Sequence, residues 1–183
     1  MDNILQIIKD FEGVIGAVLG SVSTLIVNDI LKKKGILKIY LMKFEGIYYT
    51  IDKGVIRQAK GEEDNILYYS FNYKIQVYNR SETPKIMRDF KVIFIKDKKI
   101  VYSVVPADES TRRVTETRYH ADDMDVYNIM PKTIQVLEQS GLVNEEEFDK
   151  VEGLTKIELN YYDEMDKKRR VLLHKGVISK SKY

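Results

Sequence analysis

The stretch ILYYSFNYKIQVYN (66–79) constrains the fold more than any other part of the chain. Tyr69, Phe71, Tyr73, Ile75 and Val77 fall on one side of an extended backbone, and Ser70, Asn72, Lys74 and Gln76 fall on the other. Side chains alternate across a strand with a period of two, so this pattern gives one buried side and one wet side. A helix would scatter the same five residues around its axis. Rings and branched chains on one side of a sheet need a second layer to cover them, and hydroxyl-tipped rings suit the rim of such a core.

Other segments after Gly35 repeat the period. ILKIYLMKF (36–44) sets Ile39 and Leu41 against Lys38 and Tyr40. KIMRDFKVIFI (85–95) is apolar on both sides, as a central strand can be, and DKK (97–99) turns it into IVYSVV (100–105), which predicts a hairpin. RRVTETRYH (112–120) reads as a weaker edge strand, and KTIQVLEQ (132–139) as a strand after Pro131. LTKIELNYYD (154–163) alternates, and DEMDKK returns it as RRVLLH (169–174). Past Leu31 the only helical stretch is 145–150. The reading is mainly β: an antiparallel immunoglobulin-like β-sandwich of about eight strands, preceded by a single long N-terminal helix. Residues 1–34 form the helical part and 35–183 the sandwich. No Cys and no Trp occur, so the disulfide-and-tryptophan signature of antibody domains is missing and the strand order stays open.

The N-terminal part obeys a different rule. Ile4, Leu5, Ile7, Ile8 and Phe11 share a broad face, and from Gly13 to Asn28 no residue is charged. A helix that is apolar all round must be buried, in protein or in lipid. Those uncharged residues make a helix of roughly 24 Å at 1.5 Å per residue. A hydrocarbon core is about 30 Å thick. Extension to Phe11 and Leu31 completes a short span, with Glu12 and Asp29 at its edges. The run ends in DILKKK, a stop-transfer pattern rather than a cleavage site. Only Lys9 precedes it, whereas Lys32, Lys33, Lys34 and Lys38 follow closely. The positive-inside rule then predicts a single-pass protein of the cell membrane with its sandwich in the cytoplasm and those lysines at the lipid headgroups. The alternative is a helix packed in a groove of its own domain or on a partner in a multimer. Gly13, Ala17 and Ser21 form one ladder of small residues, and Gly16, Gly20 and Thr24 its neighbour. Such ladders let two helix backbones meet, which predicts homo-oligomerisation through this face.

Little in the chain points to catalysis. The absence of Cys removes a thiolate nucleophile or thiolate metal site, and His120 and His174 are the only histidines. The glycines of GVIGAVLG lie within a helix, not between a strand and a helix, so they do not form a phosphate loop. HADDMDVYN (120–128) gathers His120, Asp122, Asp123 and Asp125, which could ligate a divalent cation but read better as an acidic surface loop. VPADESTRR (105–113) is charged in the way a solvated loop is. Asn79-Arg80-Ser81 matches the N-glycosylation acceptor, which the cytoplasmic placement disfavours. KKRRVLLHKGVISKSKY (167–183) is basic, but its apolar Val171-Leu172-Leu173 reads as a last strand, so nucleic acid is a poor partner for it. No cofactor is predicted.

The order of a charge-free helix, a lysine stop, KIYL, YNRSETPKIMRDFKVIF (78–94 within 77–94) and YNIMPKTIQVLEQSGL (127–142) resembles a family of small bacterial and prophage proteins. Those carry one N-terminal span and a cytoplasmic β-sandwich, so the resemblance implies an architecture and a membrane address. It supplies no activity and no functional residues. The resulting expectation is a membrane-anchored protein-binding or scaffolding module without catalytic activity, contacting a protein partner. The competing expectation is a β-sandwich assembly protein, and a remoter one is an enzyme or metal-binding domain.

Overall fold

The computed structural model describes residues 12–33, 35, 37–59, 66–115, 118–151 and 153–178. Helix α1 spans Glu12–Lys33 and is followed by β1 (Leu37–Asp52), β2 (Val55–Gln58), β3 (Ile66–Asn79), β4 (Lys85–Lys96) and β5 (Lys99–Val104). Short strands β6 (Ala107–Asp108), β7 (Arg113–Thr115), β8 (Arg118–His120) and β9 (Val126–Ile129) come next. Strand β10 (Ile134–Asn144), helix α2 (Glu145–Val151), β11 (Leu154–Asp163) and β12 (Lys168–Ile178) complete the order.

One sheet runs β2-β1-β3-β10-β6, and the facing sheet runs β12-β11-β4-β5 with β9 also paired to β4. All the pairings are antiparallel. The strand β3 lies between β1 and β10, and its alternation places Tyr69, Phe71, Tyr73, Ile75 and Val77 in the core. Opposite them stand Phe90, Val92 and Phe94 of β4 and Ile157, Leu159 and Tyr161 of β11. Phe71 meets Phe94 edge-on across the two layers with ring centroids 5.5 Å apart.

Local chemistry explains several departures from the simple alternation. Gly46 of β1 and Gly141 of β10 both pair with Phe71, one from each side. A Cβ at Gly46 would meet the Tyr69 ring, and one at Gly141 would lie 2.3 Å from the Phe71 ring. The two aromatic rings of β3 therefore cover bare backbone on both neighbours. In β4, Asp89 adopts φ 55°, which lets Met87 and Phe90 both turn inward. Asp tolerates this left-handed backbone better than most residues. The β4–β5 turn, Asp97 and Lys98, has positive φ at both residues, as a two-residue hairpin needs.

The helix corrects one expectation. Among the described residues no helix is long and apolar enough to cross a membrane. Phe11 and the amphipathic segment before it lie outside the described residues. Within α1, Glu12, Asp29, Lys32 and Lys33 bracket an uncharged stretch too short for a hydrocarbon core, and Ser21, Ser23, Thr24 and three glycines dilute its hydropathy. The single-pass placement in the cell membrane is overturned on this finding, and with it the orientation that put the sandwich in the cytoplasm.

Candidate interaction surfaces

Three regions bear on function. The first is α1. Described side chains along 17–29 are exposed on every side, including Leu19, Val22, Leu25 and Ile26. The helix that was expected either to enter lipid or to sit in a groove on its own domain therefore packs in no groove among the described residues. Of the small-residue ladders, Gly13 and Gly16 lie on the helical backbone and Ala17 is exposed. Gly20 has nothing within 4 Å of where a Cβ would stand. Ser21 Oγ donates to the Val18 carbonyl at 2.9 Å, and Thr24 Oγ1 to the Gly20 carbonyl at 2.8 Å. Both hydroxyls are thereby satisfied by their own helix, so a partner covering them would strand no polar group. Lys32 and Lys33 fall in the last turn of α1, and Lys34 lies outside the described residues.

The second region unites the two charged stretches between β5 and β9. Arg113 grips Asp122 with both terminal guanidinium nitrogens, at 3.0 and 2.8 Å. That grip holds the Asp122 carboxyl below its usual range, against the upward push of burial. Asp108 caps a short turn by accepting from the Ser110 N–H, and Thr111 Oγ1 accepts from the Asp122 N–H. Arg112 pairs with Glu109 and lies over the Tyr119 ring, 4.6 Å from its centroid. What reads in sequence as one weak edge strand (112–120) is the hairpin β7–β8, folded so that its charges answer one another. Among the described residues, no three His, Asp or Glu side chains are arranged to hold a metal ion.

The third region was not visible as a site in the sequence. A cleft of about 1150 Å³ opens along one side of the sandwich, between the edge of β1 and the edge of β12. Leu37, Ile39, Leu41, Val171 and Leu172 give it apolar walls. Five cations line it, Lys38, Arg80, Lys85, Arg169 and Arg170, against two carboxylates, Asp163 and Glu164. Both carboxylates are engaged. Glu164 pairs with the buried Lys85. Asp163 accepts from the Met165 and Lys167 N–H groups at 2.9 and 3.0 Å and from Arg169 at 2.7 Å. Burial pushes the Asp163 carboxyl up, but those donors together outweigh it and hold the group low. At the floor, burial is the main cause that raises the Tyr161 phenol to about 12. Lys38, Arg80 and Arg170 are exposed and make no ion pair among the described residues.

The turn after β3 closes one end of this cleft. Asn79 is fully buried; its Nδ2 donates to the Thr83 and Ile129 carbonyls, and its Oδ1 accepts from Ser81. An asparagine that fits a glycosylation pattern is thus a structural corner. Gly35 presses on that corner so closely that a Cβ would lie 2.4 Å from the Ser81 side chain. Outside the cleft's lining, β1 and β12 also meet where the ring of His174 stacks on Phe44, with centroids 5.4 Å apart.

The family to which the sequence compares accords with this architecture. A family model described as the YopI Ig-like domain matches residues 35–174. The SPbeta prophage-derived uncharacterized protein YopI of Bacillus subtilis (strain 168) is 33% identical over 174 residues, covering 94% of this chain and 98% of that protein. A crystal structure of the ApaA protein from Bordetella pertussis aligns with 81% of this chain and 97% of its own, at 8% identity and a TM-score of 0.40. The chain belongs to the YopI Ig-like domain family.

Proposed function

We propose that this member of the YopI Ig-like domain family is a non-catalytic interaction module that assembles through α1, with the sandwich as the domain it displays. The observation that carries the reading is the exposure of α1. Val18, Leu19, Val22, Leu25 and Ile26 all stand in the open, and they point to several sides of the helix. A helix apolar all round reaches a stable state only when surrounded, and one flat sheet surface covers no more than a stripe of it. Copies of the same helix can surround one another. The Gly16, Gly20 and Thr24 ladder and the Gly13, Ala17 and Ser21 ladder are where two such helices would approach most closely.

Analytical ultracentrifugation of the full chain tests this. The expected result is a defined multimer. Leu19→Glu with Leu25→Glu should reduce it to monomer while leaving the sandwich's unfolding midpoint in place. Burying a leucine contributes about 1.5–3 kcal/mol, so two losses weaken association by about a hundredfold or more. Gly16→Leu with Gly20→Leu should shift the stoichiometry if the ladders meet. A wild-type chain that stays monomeric at every concentration overturns the proposal.

A further inference from the structure

We propose that the cleft between β1 and β12 receives an extended acidic peptide, which adds as a strand to the open edge of β1. The inference is independent of the helix.

Three observations carry it. First, β1 has β3 as its neighbour on one side, while on the other side β2 pairs with it only from Tyr49 to Asp52. Among the described residues, the edge from 37 to 47 therefore presents unpaired backbone N–H and C=O groups. The facing strand β12 pairs with β11 alone. Open edges of this kind are templates for strand addition: main-chain bonds give affinity, and pockets for alternate side chains give specificity. A strand laid on β1 would continue the line that β2 occupies beside its far end.

Second, the cleft is two-faced in the way an added strand requires. Leu37 and Ile39 point inward from β1, and Val171 points inward from β12; all three pack against the core. Every second side chain of an incoming strand would meet this apolar floor. The intervening ones would face outward, beside Lys38 and Arg170, with Arg80 at the end where Gly35 meets the turn.

Third, charge selects the occupant. Lys38, Arg80 and Arg170 have no counter-charge among the described residues, whereas Asp163 and Glu164 are already engaged. Lysines on an edge, and the irregularity between Leu41 and Lys43, oppose pairing with a second copy of the same edge. The same cations attract a strand bearing carboxylates. The recognised chemistry is thus a peptide alternating apolar and acidic residues.

Fluorescence polarisation with a fluorescein-labelled synthetic peptide alternating Val and Glu tests the proposal on the full chain. Two control peptides are used: one with Lys in place of every Glu, and one N-methylated at successive residues. The Val/Glu peptide should bind saturably, and the Lys version should not. The N-methylated peptide keeps the charge but cannot donate to the β1 edge, and should lose at least about tenfold in affinity. Lys38→Gln with Arg170→Gln, both exposed changes that leave the core untouched, should lose about tenfold. Equal binding of the Glu and Lys peptides overturns the charge argument. Undiminished binding of the N-methylated peptide overturns strand addition. Dodecanoate that binds in the cleft where no peptide does would assign the cleft to a fatty anion and overturn the proposal. A dimer of the chain abolished by the Lys38→Gln, Arg170→Gln change would assign the edge to a second copy, with the same result.

Discussion

Helix α1 and strand β3 are both dominated by apolar side chains, yet they end in opposite surroundings. In β3, Ile75 and Val77 are wholly buried; in α1, Leu25 is 69% exposed. Hydrophobicity is common to both, and the difference is how each backbone deals its side chains out. A strand gathers them on one face, where β4 and β11 meet them in a single layer. The helix distributes them around its whole circumference, and no neighbour among the described residues covers them. Content therefore says that a segment will be buried, while periodicity says whether its own fold can do the burying.

The comparison breaks most visibly at matched truncations. Phe71→Ala removes a ring that touches both sheets and should cost about 3–5 kcal/mol in urea unfolding at low protein concentration. Leu25→Ala under the same conditions should stay within about 0.5 kcal/mol. A large loss at Leu25 would mean that α1 is part of the sandwich's core after all. Glycines sharpen the same contrast. Gly141→Ala forces a methyl against the Phe71 ring and should destabilise by about 1–3 kcal/mol. Gly20→Ala enters open space on a helix, and circular dichroism should show helicity unchanged or raised, since alanine favours a helix interior by about 1 kcal/mol over glycine.

Smaller effects belong to Asp163 in the cleft and to His174 further along β12. Asp163→Asn keeps an acceptor for the turn but drops the charge opposite Arg169, and should cost about 1–2 kcal/mol. The Asp163 carboxyl titrates lower in the folded chain than unfolded. Its contribution is thus present above about pH 3.9, the unfolded carboxylate value, and is lost as the pH falls through the folded one. The Asn variant should flatten that part of a melting-temperature curve against pH. His174, whose imidazole burial pushes down, gives the smallest signal. Its neutral form suits the folded state, so stability is complete above about pH 6.5 and declines as the pH drops below it. His174→Phe should keep the stack on Phe44 and remove the decline.

Much of the fold was legible because β3, the β4–β5 hairpin and the β11–β12 hairpin carry strong local patterns. Their rings, branched chains and polar turns all agree. The ends of β1 and β10 were not legible, and for one shared reason. Both strands run several residues past the point where their patterns fade, through Gly46 and Gly141. A glycine inside a strand looks like a terminator until the ring above it is known, and that ring lies on β3, far away in sequence. Strand β2 is only four residues long and has exposed apolar side chains, so alternation gives no sign of it. The cleft was hidden more deeply. Lys38 lies on β1, Arg80 in the turn after β3 and Arg170 on β12, and no spacing in the chain announces that they converge. The signal that could have found it is indirect: β1 is four times as long as the β2 beside it, which leaves an edge for something else to fill.

The close seat of Gly35 on Ser81 ties the foot of the helix to the end of the cleft, since Gly35 also lines that cleft. The geometry bears on valency. In an assembly held together by α1, every copy would carry its cleft at the same short distance from the shared axis. A ligand offering several acidic strands would then meet a second site at high effective concentration once the first had closed. Contacts too weak to matter one at a time could, in such an array, discriminate a repetitive partner from a single one.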